Sequence, residues 1–440
     1  MSGPDLSNQI AGVLVRFREE PVAIMGDIEA MFHQVLIPEK DRDIFRFLWW
    51  DNNDIDGPVI DYQMCVHVFG ATSSPSCCNY ALKRTAIDNK ESYHPEVTQS
   101  ILRNFYVDDL LKSFKDSDTA IRLVHDMISI CAQGGFQLTK FVSNKLDVLH
   151  SIPDKDRIDG VKDIDLDNGA DLPNGKALGI NWNVNEYSLG FKVNYDEETT
   201  TRRGMLSMIS RIYDPLGLAS PFLLEGKRIL QALCRNDYSW DQPVSEEFIK
   251  LWDQWKAELK KLRGLKMNRC FKPQEFGKVK DCSLHHFSDA SQDGYGQVSY
   301  IRLVDQSGNI HCNLVMAKSR VAPLKYISIP RMELTAAALS VKVSSFLKKE
   351  LTIHSPIEEY YWTDSQVVLA YINNDIKWFK IFVANRIQLI REKSLLNQWM
   401  YIESKNNPAD YASRGLTLSN SQKVHQWLNG PDFLWKEKSH

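Results

Sequence analysis

Seven acidic residues in this 440-residue chain are spaced so that their carboxylates could work together. Asp108 and Asp109 are adjacent in Phe105-Tyr106-Val107-Asp108-Asp109-Leu110, with Ile101-Leu102 before them and Leu110-Leu111 after. Those apolar flanks predict a hairpin with the acidic pair at or beside its turn. Neighbouring like charges repel unless a cation stands beside them, and a divalent metal is the strongest candidate. The chemistry suggested is metal-assisted phosphoryl transfer. Asp27 closes the apolar run that starts at Val22, and Asp289, Glu333, Asp364 and Asp410 each end a predicted strand or begin a predicted helix. Taken singly, each acid is equally consistent with a turn former or a helix cap.

The elements that would position these acids follow from periodicity. A helical pattern (Ile10, Val13, Leu14, Phe17) precedes the strand 22–28, and a helical turn follows at Glu29 to Phe32. Strand-like runs at 44–50 and 59–69 flank an Asp/Asn/Gly loop. Phe69-Gly70 to Pro75 starts a helix, with Ser74 expected as its cap and Pro75 in the favoured first position. The acidic hairpin comes next, then a helix at 118–133 stopped by Gly134-Gly135, and a strand at 136–142 containing Lys140. With the inserted 44–69 hairpin set aside, the order is strand, helix, two strands, helix, strand, a split βαβ arrangement. It would put Asp27 beside Asp108 and Asp109, and three converging carboxylates suit two metals about 3.5–4 Å apart. The second set of acids lies on a βββαβαβα order from residue 284 onward, with Glu333 expected in the first turn of its helix. Ligands in open α/β sheets gather at such strand ends.

Between the two sets, residues 150–175 read as a polar linker or loop insertion. Short strands are expected at 178–182 and 191–193, a helical region from Thr200 with Arg202, Arg203 and Arg211, and a helix from Pro221 to Cys234. The stretch 246–262 is amphipathic, with Phe248, Leu251, Trp252, Trp255 and Leu259 at helical spacing. Its trailing Lys256, Lys260, Lys261, Arg263 and Lys266 fit either a phosphate-tracking edge or a solvated face. No Asp-Ser/Thr-Gly occurs, and Asp167-Asn168-Gly169 lacks the hydroxyl, so aspartic-protease chemistry is not expected.

At 43% hydrophobic and 25% charged, the composition is that of globular proteins, with length for roughly three domains. No apolar run approaches the ~20 residues of a bilayer span, and residues 1–5 lack the features of a signal peptide. The eight cysteines have no metal-site spacing, which fits reduced thiols in an intracellular protein. A net charge of −3 and pI near 6.4 neither announce nor exclude a nucleic-acid partner.

In its motifs the chain resembles a reverse transcriptase. They are Asp27 at a strand end, Phe69-Gly70 to Pro75 at a helix start, Tyr106-Val107-Asp108-Asp109 in a hairpin, and Gly135 to Lys140 in the following strand. The wording Gly26-Asp27-Ile28-Glu29-Ala30-Met31-Phe32-His33-Gln34-Val35 is similar to the Pol polyprotein of BEL/Pao long-terminal-repeat retrotransposons. Downstream, Ser288-Asp289-Ala290-Ser291, Met332-Glu333-Leu334, Thr363-Asp364-Ser365 and Asn407-Pro408-Ala409-Asp410 resemble the Asp-Glu-Asp-Asp quartet of retroviral-type ribonuclease H.

The resemblance implies an α/β and α+β multidomain chain with a partial palm (1–148, fingers mostly missing), a mixed thumb and connection (149–280), a ribonuclease H-like α/β domain (281–418) and a spacer tail (419–440) leading toward an integrase. It implies Mg²⁺, two per site with Mn²⁺ as an alternative, on Asp27, Asp108 and Asp109 and on Asp289, Glu333, Asp364 and Asp410. It also implies nucleotide contacts from Phe32 as a steric gate, Gly70, Ser74 and Lys140. The partners implied are RNA/DNA hybrid, primer-template and dNTP. The setting implied is a cytoplasmic virus-like particle with access to the nucleus. Two departures stand out. Only about twenty residues precede the Asp27 strand, which leads us to expect impaired polymerase activity, and the loop 403–407 lacks the histidine that often precedes the last acid. Arg414 is expected either at the hybrid backbone or simply on the surface.

Overall fold

The computed structural model describes residues 4–159, 175–193, 200–353, 356–374 and 378–437. Most of the expected 150–175 linker, including Asp167-Asn168-Gly169, lies outside them. The chain divides into two compact units, Met1–Leu178 and Gly179–His440.

The first unit runs α1 (Ile10–Phe17), β1 (Val22–Ile28), β2 (Arg46–Trp50), β3 (Val59–Gln63), α2 (Ser74–Asp88), α3 (Pro95–Asn104), β4 (Phe105–Tyr106), β5 (Asp109–Phe114), α4 (Ser117–Gln133), β6 (Leu138–Ser143), α5 (Leu146–His150) and β7 (Gly175–Ala177). Its main sheet has the order β4-β5-β1-β6, so β1 lies beside the acidic hairpin as the split βαβ reading requires. Alternation sorts the side chains of β1 and β5. Val22, Ile24 and Ile28 with Leu110 and Phe114 join Leu123, Val124, Met127 and Ile130 of α4 in the core, which leaves Asp27 and Asp109 on the opposite face. β2 and β3 form a separate two-stranded ribbon. Ser74 does not cap α2. Ser73 is the N-cap residue and Ser74 is the first helical residue, its hydroxyl 3.2 Å from buried His67 Nδ1. The arginines before β1 are structural, because Arg16 and Arg18 are buried and Arg16 donates to the Arg103 carbonyl.

The second unit opens with β8 (Ile180–Asn183) and β9 (Ser188–Gly190). It continues through α6 (Arg202–Ser210), α7 (Ser220–Arg235), α8 (Glu246–Lys260) and β10 (Met267–Asn268). Then come β11 (Val279–Ala290), β12 (Gly294–Asp305), β13 (Ile310–Val321), α9 (Ile329–Glu350), β14 (Glu358–Thr363), α10 (Gln366–Ile372), α11 (Ile381–Lys393), β15 (Trp399–Tyr401), α12 (Ala409–Arg414) and α13 (Ser421–Asn429). The five-stranded sheet has the order β13-β12-β11-β14-β15, with β11, β14 and β15 parallel. Small residues of α9 (Ala337, Ser340, Ser344) let that helix lie close on one face, where Leu334 and Val341 meet Tyr361 and Ile387. On the other face, α7 and α12 pack against β13 and β12. Glu333 sits in the second turn of α9. The helix begins at Ile329, before Pro330, which is tolerated within the first turn.

Two stretches fit the sheet more closely than their sequence suggests. The loop before α7 docks on β13 through an Ala317 N–H to Leu216 carbonyl bond of 2.8 Å. The stretch expected to begin a spacer packs on this unit, burying Trp427 and Leu434. Trp427 is fully buried and donates to the Leu218 carbonyl at 2.8 Å, Tyr300 donates to the Trp427 carbonyl at 2.7 Å, and Arg302 donates to the carbonyls of Leu434 and Lys436.

The basic residues at the end of α8 and just after it are engaged within the unit. Lys256 pairs with Asp253, Lys261 with Glu258, Lys266 with Glu186, and Arg263 donates to the Val193 carbonyl. These contacts favour the solvated-face reading over phosphate tracking. On the helix itself Trp252, Trp255 and Leu259 are buried, whereas Leu251 is exposed. Among the described residues no helix is long and apolar enough to cross a membrane.

Candidate active sites

In the first unit, β1 and β5 run antiparallel with Asp27 directly opposite Asp109, and the Ile28 N–H donates to the Asp108 carbonyl at 3.0 Å. The hairpin turn is Val107-Asp108, since Tyr106 pairs with Asp109. Val107 has φ +56°, a value β-branched residues rarely adopt. Strain of this kind persists only where the surroundings over-determine the backbone. Burial pushes the Asp109 carboxyl up to about 6, helped by the charges of Asp108 and Asp27 and opposed by Lys140. Asp108 is raised by burial as well, with Asp27 adding to it.

Lys140 comes from β6 and places its Nζ 2.5 Å from Asp27 Oδ2, which raises the lysine in turn. The expected nucleotide residues are only partly brought to these acids. Phe32 is buried in the helical core with its ring edge-on to Phe69 at 4.7 Å. Gly70 has φ +87°, and the Ser74 hydroxyl is turned toward His67.

In the second unit four acids arrive on four elements. Asp289 is near the end of β11, Asp364 directly follows β14, Glu333 is on α9 and Asp410 is at the start of α12. Each has a donor of its own. Ser413 donates to Asp289 and Arg414 to Asp410, the Ser365 hydroxyl reaches Glu333 Oε2 at 2.6 Å, and the Ser404 hydroxyl reaches Asp364 Oδ2 at 2.5 Å. Burial pushes Asp289 up to about 6, with the Ser413 bond opposing and the charges of Asp364 and Asp410 adding. Glu333 is also raised, by burial and then by Asp364, against its bond from Ser365.

Among the described residues no group of three or more His, Cys, Asp or Glu side chains is placed so that, as it stands, it could hold a metal ion. The donor chemistry nevertheless fits one, since hard divalent cations take carboxylate oxygens. Asp364 Oδ1 is buried with no hydrogen-bond partner, and a buried acceptor left in that condition is costly.

The sequence motifs located all seven acids but missed the serines that hold three of them. Ser365 and Ser413 lie within the quoted motifs or just after them, whereas Ser404 has no signal beyond its loop.

Residues 201–365 match the family described as Pao retrotransposon-like RNaseH-like domain. No curated protein matches the sequence. Among solved structures, the chain is similar to the foamy viral protease-reverse transcriptase in complex with RNA/DNA hybrid, at 13% identity and a TM-score of 0.54, over 94% of this chain and 48% of that one. It is also similar to the same viral protein as a dRH form with ds DNA (12% identity, TM-score 0.52, 91% and 59% covered) and with dsDNA (13%, 0.53, 92% and 72%). Identities this low establish the fold, a mixed α/β multidomain architecture of the reverse transcriptase and RNase H-like kind. The chain spans about half the length of the first of these structures.

Proposed function

We propose, on the premise that this chain is Pol sequence of the BEL/Pao retrotransposons and carries their Pao retrotransposon-like RNaseH-like domain at residues 201–365, that its second unit cleaves the RNA strand of RNA/DNA hybrids. The observation that carries this reading is the delivery of Asp289, Glu333, Asp364 and Asp410 by four separate elements, with Asp364 Oδ1 buried and unpartnered. These four would hold Mg²⁺, or Mn²⁺ in its place. Divalent ions at such a site supply charge neutralisation at the phosphate and a water that is nucleophilic at neutral pH. The protein's own contribution is orientation. Ser413, Ser365 and Ser404 fix one oxygen each of Asp289, Glu333 and Asp364, and hydrogen-bonded partners of this kind tune the ligands they hold.

The test is cleavage of a labelled RNA/DNA hybrid by the full chain in Mg²⁺, with Asp364→Asn as the inactive control. Cleavage unchanged by Asp364→Asn would sink the site assignment. Hybrid binding without cleavage in any divalent metal would favour a silent, nucleic-acid-binding remnant instead.

A second activity, RNA-directed DNA synthesis on a primer-template with dNTPs, is favoured by one specific observation. Asp27 and Asp109 face each other across β1 and β5, with Asp108 in the adjoining turn. Primer extension that depends on all three aspartates is the measurement that decides it.

A further inference from the structure

We propose that Lys140 is a built-in counter-ion, aimed at Asp27 by a β-bulge, that a divalent cation must displace to occupy the Asp27, Asp108 and Asp109 cluster. The inference rests on the reading of that cluster as a cation site.

The pairing of β1 with β6 slips between Met25 and Asp27. Met25 faces Val142 and Asp27 faces Thr139, so Gly26 alone stands opposite both Lys140 and Phe141. A bulge of this kind re-aims side chains next to functional sites. Here it lays the Phe141 ring over Gly26, where a Cβ would meet it at 3.0 Å. Lys140 takes φ +53°, in the left-handed region that favours glycine. The strained backbone carries an ammonium that reaches Asp27 at 2.5 Å although the lysine side chain is 58% exposed. A lysine meant only for solvent needs neither the bulge nor the strain.

The ammonium is a compact point charge on a flexible stem, so it can neutralise clustered carboxylates and still leave. Lys112, on β5, is already paired with Glu96 at 3.3 Å. A site whose competent form is only a fraction of the population binds more weakly by that fraction. Lys140 therefore sets how much divalent cation the cluster needs.

The test is calorimetric titration of Mg²⁺ into the full chain carrying Asp289→Asn and Asp364→Asn, which silences the nuclease acids. Lys140→Gly removes the ammonium and suits the left-handed backbone. It is expected to bind Mg²⁺ about tenfold more tightly than the parent, within the usual range of couplings between ligands. Lys140→Gln repeats the test with a side chain retained, and Asp27→Asn added to Lys140→Gly is expected to abolish the gain. Equal affinity in the parent and the glycine variant overturns the counter-ion role while leaving the cluster a cation site. No Mg²⁺ binding by any variant overturns both.

Discussion

Gly217 lies so close to Ala317 that a Cβ on it would stand 1.8 Å from the Ala317 carbonyl oxygen, and its φ of +72° is one that L residues rarely adopt. The same loop accepts the Ala317 N–H at Leu216 and caps itself through Asp214. It joins the helical part of the second unit to β13. Gly217→Ala is expected to destabilise that unit by about 3 kcal/mol or more, since neither the clash nor the backbone strain can relax without parting the loop from the strand. Chemical denaturation measures it, and a loss under about 1 kcal/mol would mean that the loop is not held as described.

Asp364→Asn is expected to leave the fold intact, because Oδ1 makes no hydrogen bond and Oδ2 keeps its place beside Ser404. Hybrid cleavage should fall by at least about a hundredfold, the scale of several kcal/mol of lost charge stabilisation at a metal-dependent centre. Circular dichroism and the cleavage rate, taken on the same preparation, separate the two effects.

The Asp214 carboxylate accepts the N–H groups of Leu218 and Ala219, both at 2.8 Å. Burial still pushes it from the ordinary 3.8 up to about 6, although the backbone bonds and Lys227 oppose the shift. A carboxyl raised in the folded state keeps its proton where the unfolded chain has lost its own. The stability it contributes is therefore fully present below pH 3.8 and is lost as pH rises through about 6. Asp214→Asn is expected to remove that part of the pH dependence and to cost about 1–3 kcal/mol, because an amide cannot accept on both of its heavy atoms. A melting profile from pH 4 to 7 that is identical in the two proteins would contradict this.

Val107→Gly relieves the strain valine bears at φ +56° but removes a side chain packed against the core of the first unit and loosens the unfolded chain. The net change in stability is therefore expected to stay within about 1 kcal/mol. Thermal melts report the stability, and primer extension reports whether the relaxed turn still holds Asp108 and Asp109 in place.

The acids were legible because strand alternation and turn chemistry act locally. The apolar run ending at Asp27, and the flanks of Asp108 and Asp109, already determine which face each carboxylate occupies. Pro330 reads as a helix opener, which puts Glu333 a turn too early, whereas the helix begins at Ile329 and tolerates the proline. The Ser404 bond to Asp364 and the burial of Trp427 depend on residues brought together only by tertiary packing, so neither leaves a periodic trace. The bulge at Lys140 was hidden for another reason. One extra residue in a strand leaves the composition unchanged and alters only the register. The basic residues of α8 and the segment after it fit either a phosphate-tracking edge or a solvated face in the sequence. Only the pairing of Lys256, Lys261 and Lys266 with carboxylates favours the second.

The clasp that Trp427, Leu434 and Lys436 make on the second sheet also determines when that sheet can be finished during synthesis. The core beneath the first unit's acid cluster closes with Val148 and Ile152, so that cluster can assemble once residue 152 has left the ribosome. The second unit must wait for its last turns, because the indole that meets Leu218 lies 209 residues further along the chain. Contacts of such separation close slowly, and domains fold in the order in which they emerge. The acid set around Asp27 is thus completed before the one around Asp289.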